Sequence, residues 1–330
     1  MSATADPVTR PDVHSASLRL LARSAEDLLW LARYMERVEN VSRILDVTQT
    51  FAHDDRDGVH WRAALAINAD ERRFFETHTH ANATTVPAFY LLDRQNPSSV
   101  QVAIHRAREN ARTLRALISN EMWQQLNVFH ARIRALTPWD VAPENLSRVC
   151  AVLKEGCQTH TGVTEGTFYR DQGRCFYAMG RHLERADQST RLLDIGFRAL
   201  RPLLESGADI ELERWTVLLR AAAGYHAYRR VHPAGFSAVD VVTFLLLDDA
   251  FPRSVDLSLA QIRRHLRDLH VRHGLPEAVE AMRCVEALRA SLAAQCATGR
   301  LNGLSAFLDW TQMQIGALHE HIAASFFPRT

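Results

Sequence analysis

The stretch YMERVENVSRILD (residues 34–46) sets a Glu-Arg pair inside an amphipathic pattern, and HLERADQSTRLLD (residues 182–194) does so again. Around the first pair, Leu31, Met35, Val38, Ser42 and Leu45 recur at spacings of 3 and 4, the period of one helix face. Placing Glu36 on Glu184, an offset of 148, also places Arg33 on Arg181, Arg37 on Arg185, Glu39 on Asp187, Arg43 on Arg191 and Asp46 on Asp194. The apolar positions keep step, with Leu31 on Met179, Met35 on Leu183, Val38 on Ala186 and Leu45 on Leu193.

A second block repeats in the same order. FYLLDRQNPSSV (89–100) resembles FLLLDDAFPRSV (244–255) at an offset of 155, and beyond it Arg108 falls on Arg263 and Arg112 on Arg267. Two ordered blocks with nearly equal offsets describe a duplicated unit of about 150 residues. The expected fold is all-α: two similar helical halves in one multi-helix, bundle-like domain, related by a pseudo-two-fold axis with the Glu-Arg helices near it. On this reading residues 1–20 are a disordered polar tail, 21–150 the first half and 151–328 the second.

The rest of the chain agrees with a helical class. Segments 97–118, 120–136, 143–160, 254–274, 276–296 and 303–326 all carry helix-period patterns. Asn96 before Pro97 reads as an N-cap with proline at the first helical position, and Gly274 before Pro276 as a stop followed by a new start. No run alternates like a strand, and no glycine-rich phosphate loop appears.

Composition narrows the functional classes. Of 330 residues, 47% are hydrophobic and 23% charged, the balance of a soluble globular chain. Lys plus Arg (39) nearly equals Asp plus Glu (38), which argues against bulk attraction to nucleic acid or an anionic membrane. The apolar run VVTFLLL (241–247) meets Asp248 and Asp249 far short of the roughly 20 residues that cross a bilayer. The opening MSATADPVTRPDVHSAS lacks the apolar core of a signal peptide, so a cytoplasmic protein is expected. Five cysteines without a C-x-x-C pair fit reduced thiols. Histidines cluster at 78–80, 270–273 and 319–321, but none of these is H-E-x-x-H, so neither a metal nor another cofactor is expected.

The charged faces of the repeated helices are the candidate site. Arg33, Arg37 and Asn40 lie opposite the apolar stripe, and Glu36, Glu39, Arg43 and Asp46 along one flank. Pairs Arg33–Glu36, Glu39–Arg43 and Arg43–Asp46 are within reach along one helix. As solvated pairs each would contribute only about 0.2–1 kcal/mol. Their recurrence in both copies favours guanidinium forks that hold carboxylates of the other half. Two readings follow: an ionic network that docks the halves, or a cleft that binds an amino acid or peptide and supplies a Glu of shifted pKa. Arg253 stands where the first copy has Ser98, either as a surface loop residue or reaching a carboxylate or anion. TEGTFYRDQG (164–173) brings Glu165, Thr167 and Arg170 close together just before the second Glu-Arg helix, as a site or as a simple bend. The carboxylates weighed as catalytic are Glu36, Glu165 and Glu184.

Four ordered blocks carry a family resemblance: LLARSAEDLLWLARYMERVENVSRILDV (20–47), NPSSVQVAIHRARENAR (96–112), TEGTFYRDQGRCFYAMGRHLERADQSTRLLDI (164–195) and LLLDDAFPRSV (245–255). Together they resemble the bacterial Alpha-E family, an α-helical domain with an ER motif, from about residue 20 to the C-terminus. Glu36, Arg37, Thr167, Arg170, Glu184, Arg185 and Arg253 match its motifs. The polar N-terminus is longer than the family pattern, and residues 52–73 align poorly. The resemblance implies partners, because such domains are encoded beside or fused to ATP-grasp proteins and transglutaminase-like peptidases. It therefore implies an accessory or substrate-binding role in making or modifying amide bonds. The alternatives are an amide-bond hydrolase or amidotransferase, and a purely structural docking protein.

Overall fold

The computed structural model describes residues 20–52, 58–200 and 208–327; nearly all of the expected tail lies outside them. Among the described residues every regular element is a helix: α1 (Ala22–Phe51), α2 (Val59–Ile67), α3 (Glu71–Phe75), α4 (Thr85–Leu91), α5 (Val100–Thr113), α6 (Asn120–Arg134), α7 (Pro143–Thr167), α8 (Gln172–Leu200), α9 (Ala208–Ala221), α10 (Tyr225–Val231), α11 (Ala238–Leu247), α12 (Val255–His273), α13 (Ala278–Ala297) and α14 (Leu304–Phe326). The all-α expectation is met, and no described helix is long and apolar enough to cross a membrane.

The two Glu-Arg helices, α1 and α8, lie side by side at the centre. Hydrogen-bond partners advance together along both, from Leu20–Gln172 through Glu36–Arg185 to Asn40–Gln188, so the helices run parallel. Contact is closest at Gly180. A Cβ there would sit 2.1 Å from the carbonyl oxygen of Leu29, so only hydrogen fits between the two backbones. The stripe Leu31, Met35, Val38, Ser42 and Leu45 is buried, as its spacing requires. The opposite face of α1 is also covered, because α8 lies against it.

The remaining helices repeat one packing scheme. α5 and α7 pack on α1 with α6 against both; α12 and α14 pack on α8 with α13 against both. α2 reaches across to α8 and α9 to α1. One contiguous apolar core runs through the whole. The boundary expected at residues 150/151 falls inside α7, an unbroken helix packed on α1 and α6. α7 ends at Phe168, where the backbone turns extended.

Helix starts show one further departure from the sequence reading. α5 begins at Val100 and is capped by Ser99, whose hydroxyl accepts from the Val102 N–H at 3.3 Å. Asn96 holds the preceding corner instead: its side chain accepts from the Ser98 N–H and donates to the Phe89 carbonyl. Ser254 caps α12 in the same way at 3.1 Å, so the serine of P-x-S-V supplies the cap in both copies. Gly274 ends α12 in the left-handed region at φ 65°, as expected.

Candidate functional site

Between α1 and α8 each motif glutamate is held by arginines of the other helix. Arg37 donates from Nε and Nη2 to the two oxygens of Glu184 at 2.7 and 3.0 Å, and Arg33 adds a third bond at 2.9 Å. Reciprocally, Arg185 donates to both oxygens of Glu36 at 2.8 and 2.7 Å. Arg253 adds the third bond to Glu36 at 3.0 Å and also reaches Glu39 at 2.8 Å. Glu39 and Arg43 pair within α1, and Asp187 and Arg191 pair at the matching place in α8. Of the three pairs that spacing allows within α1, only Glu39–Arg43 forms. Arg33 turns to Glu184, and Asp46 takes Lys154 of α7 at 2.6 Å.

This seam is closed to a substrate. Glu36 is 4% exposed and Glu184 is 1% exposed. Burial opposes ionisation of Glu184, yet Arg37 and Arg33 outweigh it and bring the pKa down to about 2. Burial likewise opposes ionisation of Glu36, but Arg185 and Arg253 hold it well below the usual carboxylate range. Permanently charged, saturated and enclosed, these groups are poorly suited to proton transfer near neutrality. Arg253 is buried, tied to the α8 side by its own carbonyl, which accepts from Ser189 at 2.8 Å.

The other candidate residues gather elsewhere. A cleft of about 270 Å³ opens between the α7–α8 turn, α8 and α12, and is lined by Glu165, Arg170, Arg181 and ten further residues. Glu165, 44% exposed, accepts from Arg174 at 2.5 Å and from Arg181 at 3.3 Å. Burial opposes its ionisation, but the Arg174 bond prevails and its pKa is lowered. Five arginines of the lining (Arg170, Arg174, Arg181, Arg264 and Arg272) face three carboxylates (Glu165, Asp171 and Asp268). Four buried nitrogens on lining residues have no partner: Arg174 Nη1, Arg181 Nε, His182 Nδ1 and His265 Nδ1. Burial, then the nearby Arg174, brings the His265 pKa down to about 4. Burial and Arg181 push His182 well below its ordinary value, so both rings are neutral at pH 7. Burial pushes the Cys175 thiol up to about 12, which leaves it inert as a nucleophile.

The candidate set therefore splits in two. Arg33, Glu36, Arg37, Glu39, Arg43, Glu184, Arg185, Asp187, Arg191 and Arg253 belong to the seam and its flanks; Glu165, Arg170 and Arg181 belong to the cleft. Thr167 joins neither, for its hydroxyl bonds Ser119 and the Val163 carbonyl at 2.7 Å each. Sequence reasoning missed the α12 wall of the cleft, Arg264, His265, Asp268 and Arg272. Their i, i+3, i+4 spacing puts them on one polar face, but nothing in the chain says which helix that face meets. It also missed Asp70. At the corner where the second copy has Arg253, Ser98 donates instead to Asp70 at 3.2 Å, and Tyr90 donates to the same buried carboxylate at 3.3 Å.

Comparison with known proteins gives a family and no activity. Relatives include uncharacterised proteins of Mycobacterium bovis (strain ATCC BAA-935 / AF2122/97) and Mycobacterium tuberculosis (strains CDC 1551 / Oshkosh and ATCC 25618 / H37Rv). Each is 28% identical over 271 residues, covering 75% of this chain. The match spans only 30% of the length of each relative. No solved structure matches the chain with significance. The model of the Alpha-E family, a predicted alpha-helical domain with a conserved ER motif, matches residues 20–327. Matched over nearly its whole length, the chain belongs to the Alpha-E family.

Proposed function

We propose that this chain is a substrate-binding accessory that works beside an ATP-grasp-type ligase in amide or peptide bond synthesis or modification. Its α8–α12 cleft would hold an acidic group of the substrate, and a transglutaminase-like peptidase is a further candidate partner. The observation that carries the binding role is the cleft's excess of arginines over carboxylates, with two guanidinium nitrogens, Arg174 Nη1 and Arg181 Nε, left unpartnered. A buried donor without an acceptor costs about 1–3 kcal/mol, which an anionic ligand would recover. Guanidiniums recognise carboxylate and phosphate alike, because both offer oxygens at the fork spacing. The 30% coverage of the mycobacterial relatives leaves room for further domains in the same polypeptide, which suits a component that works next to a catalyst. A cytoplasmic location, where ATP-dependent ligases operate, goes with this reading.

The seam has a different task in this proposal. The two halves are α1–α7 and α8–α14, joined at Phe168–Asp171 and related by an approximate two-fold axis parallel to α1 and α8. The same order of helices, the same packing scheme and the reciprocal Glu-Arg forks support this. The ionic network fixes the register of the halves and so the place of the α7–α8 turn, which closes one side of the cleft beside α8 and α12. Glu165 is the one candidate carboxylate with substantial exposure, and the hydrolase alternative rests on it.

Calorimetric titration with a glutamate-rich peptide and with inorganic phosphate tests the binding role. Arg181→Gln and Arg174→Gln should each weaken binding at least tenfold, while Arg94→Gln on a separate surface should not. Adding the chain to a purified partner ligase should raise its turnover. Acidic ligands binding equally well to all three variants would overturn the cleft as the site. Release of an amine from peptides by the chain alone, lost in Glu165→Gln, would establish the hydrolase instead.

A further inference from the structure

Cys284 stands apart from both regions, on α13, and the groups around it suit a metal ion. Glu280 and Cys284 are four residues apart on that helix, so both project from one face. α14 packs against α13 and presents His321 to them. One carboxylate oxygen, the thiol sulfur and one imidazole nitrogen all lie within 4.8 Å of one another. Metal–ligand bonds of about 2.0–2.3 Å to N, O and S would close such a triangle around one ion after small rotamer adjustments. It is the one such trio of potential ligands among the described residues. Sequence spacing does not show it, because His321 comes from a different helix.

We propose that Glu280, Cys284 and His321 bind a Zn²⁺ ion, with the fourth tetrahedral position open to water or an incoming ligand. The donor set decides the class of metal. A thiolate with an imidazole selects a borderline or soft ion over Mg²⁺ or Ca²⁺, which want all-oxygen shells. Arg283 donates to Glu280 Oε2 at 2.9 Å, the kind of contact by which an outer-shell partner orients a ligating carboxylate. The site is independent of the cleft and of its acidic ligand.

The test uses the full chain, stripped with a chelator and titrated with Co²⁺ as a spectroscopic stand-in, then with Zn²⁺. The expected result is a thiolate-to-cobalt charge-transfer band that saturates at one equivalent and disappears when Zn²⁺ displaces it. Cys284→Ser and His321→Gln should abolish the band, Arg283→Ala should weaken affinity by about 10–100-fold, and Cys296→Ser should leave it intact. These side chains are at least partly exposed, so circular dichroism should show every variant folded. Absence of the band in the parent chain, or its persistence in Cys284→Ser, would overturn the proposal.

Discussion

The α1–α8 seam and the α8–α12 cleft are built from the same residue types, and they share helix α8, yet they end in opposite states. In the seam each motif glutamate receives three charge-assisted bonds from two guanidiniums, and no atom is left over. In the cleft a single half-exposed carboxylate serves two arginines, and buried nitrogens remain without acceptors. In the proposed function the satisfied seam serves as a strut and the cleft as the place that binds. A repeated, charged motif is thus not by itself a site; what separates the two is whether its hydrogen-bonding capacity has already been consumed inside the protein.

The largest expected effect breaks the seam. Glu184→Gln strands Arg37 and Arg33 against a neutral amide and should lower unfolding free energy by about 3–5 kcal/mol, measured by urea titration. Glu165→Gln in the cleft, by contrast, should cost less, about 1 kcal/mol, because Glu165 is half-exposed and water can take its place beside the two arginines. Equal costs at the two positions would erase the distinction. Next comes steric closure: Gly180→Ala drives a methyl into the Leu29 carbonyl and should cost about 1–3 kcal/mol in the same assay, more if α1 and α8 must separate.

Acid titration separates the regions by pH. A histidine whose folded pKa is depressed is protonated more readily in the unfolded chain. Stability should therefore fall as pH drops from about 6.5 to about 4, through His160, His265 and His319, each brought down to about 4 chiefly by burial. The seam carboxylates act lower. The contribution of Glu184 is fully present above its ordinary value near 4.5 and is lost as pH falls toward about 2. His265→Gln should soften the first decline and leave the second unchanged; a single transition confined below pH 4 would contradict this assignment. The smallest effect is Arg191→Gln, whose one partner, Asp187, lies on the same helix; it should shift the urea midpoint by less than the other substitutions.

Much of this molecule was legible in its sequence, and the reason is periodicity. Leu31, Met35, Val38 and Leu45 are buried where their spacing puts them, and the six further helical segments fall on α5, α6, α7, α12, α13 and α14, with only the end of α7 more than five residues off. The exchange of guanidinium forks between helices followed from charge recurrence at matching positions. Three things were not legible. The cap moved from Asn96 to Ser99 because Pro97 opens a corner and not a helix, a choice made by the buried Asn96–Phe89 bond. The end of α7 was not legible, because the pattern read to residue 160 belongs to a helix that runs on to Thr167. The cleft walls and the Glu280–Cys284–His321 trio join helices far apart in the chain, and no local pattern encodes which polar faces meet.

The reciprocity of the central contact has a consequence. Glu36 answers to Arg185 and Glu184 to Arg37, which is the self-complementary logic of an isologous homodimer surface. On the proposed two-fold relation of the halves, a lone half would meet its own twin through this face. Joining the two in one polypeptide lets the matching corners differ, as Ser98 and Arg253 do, a specialisation closed to any true dimer of identical chains.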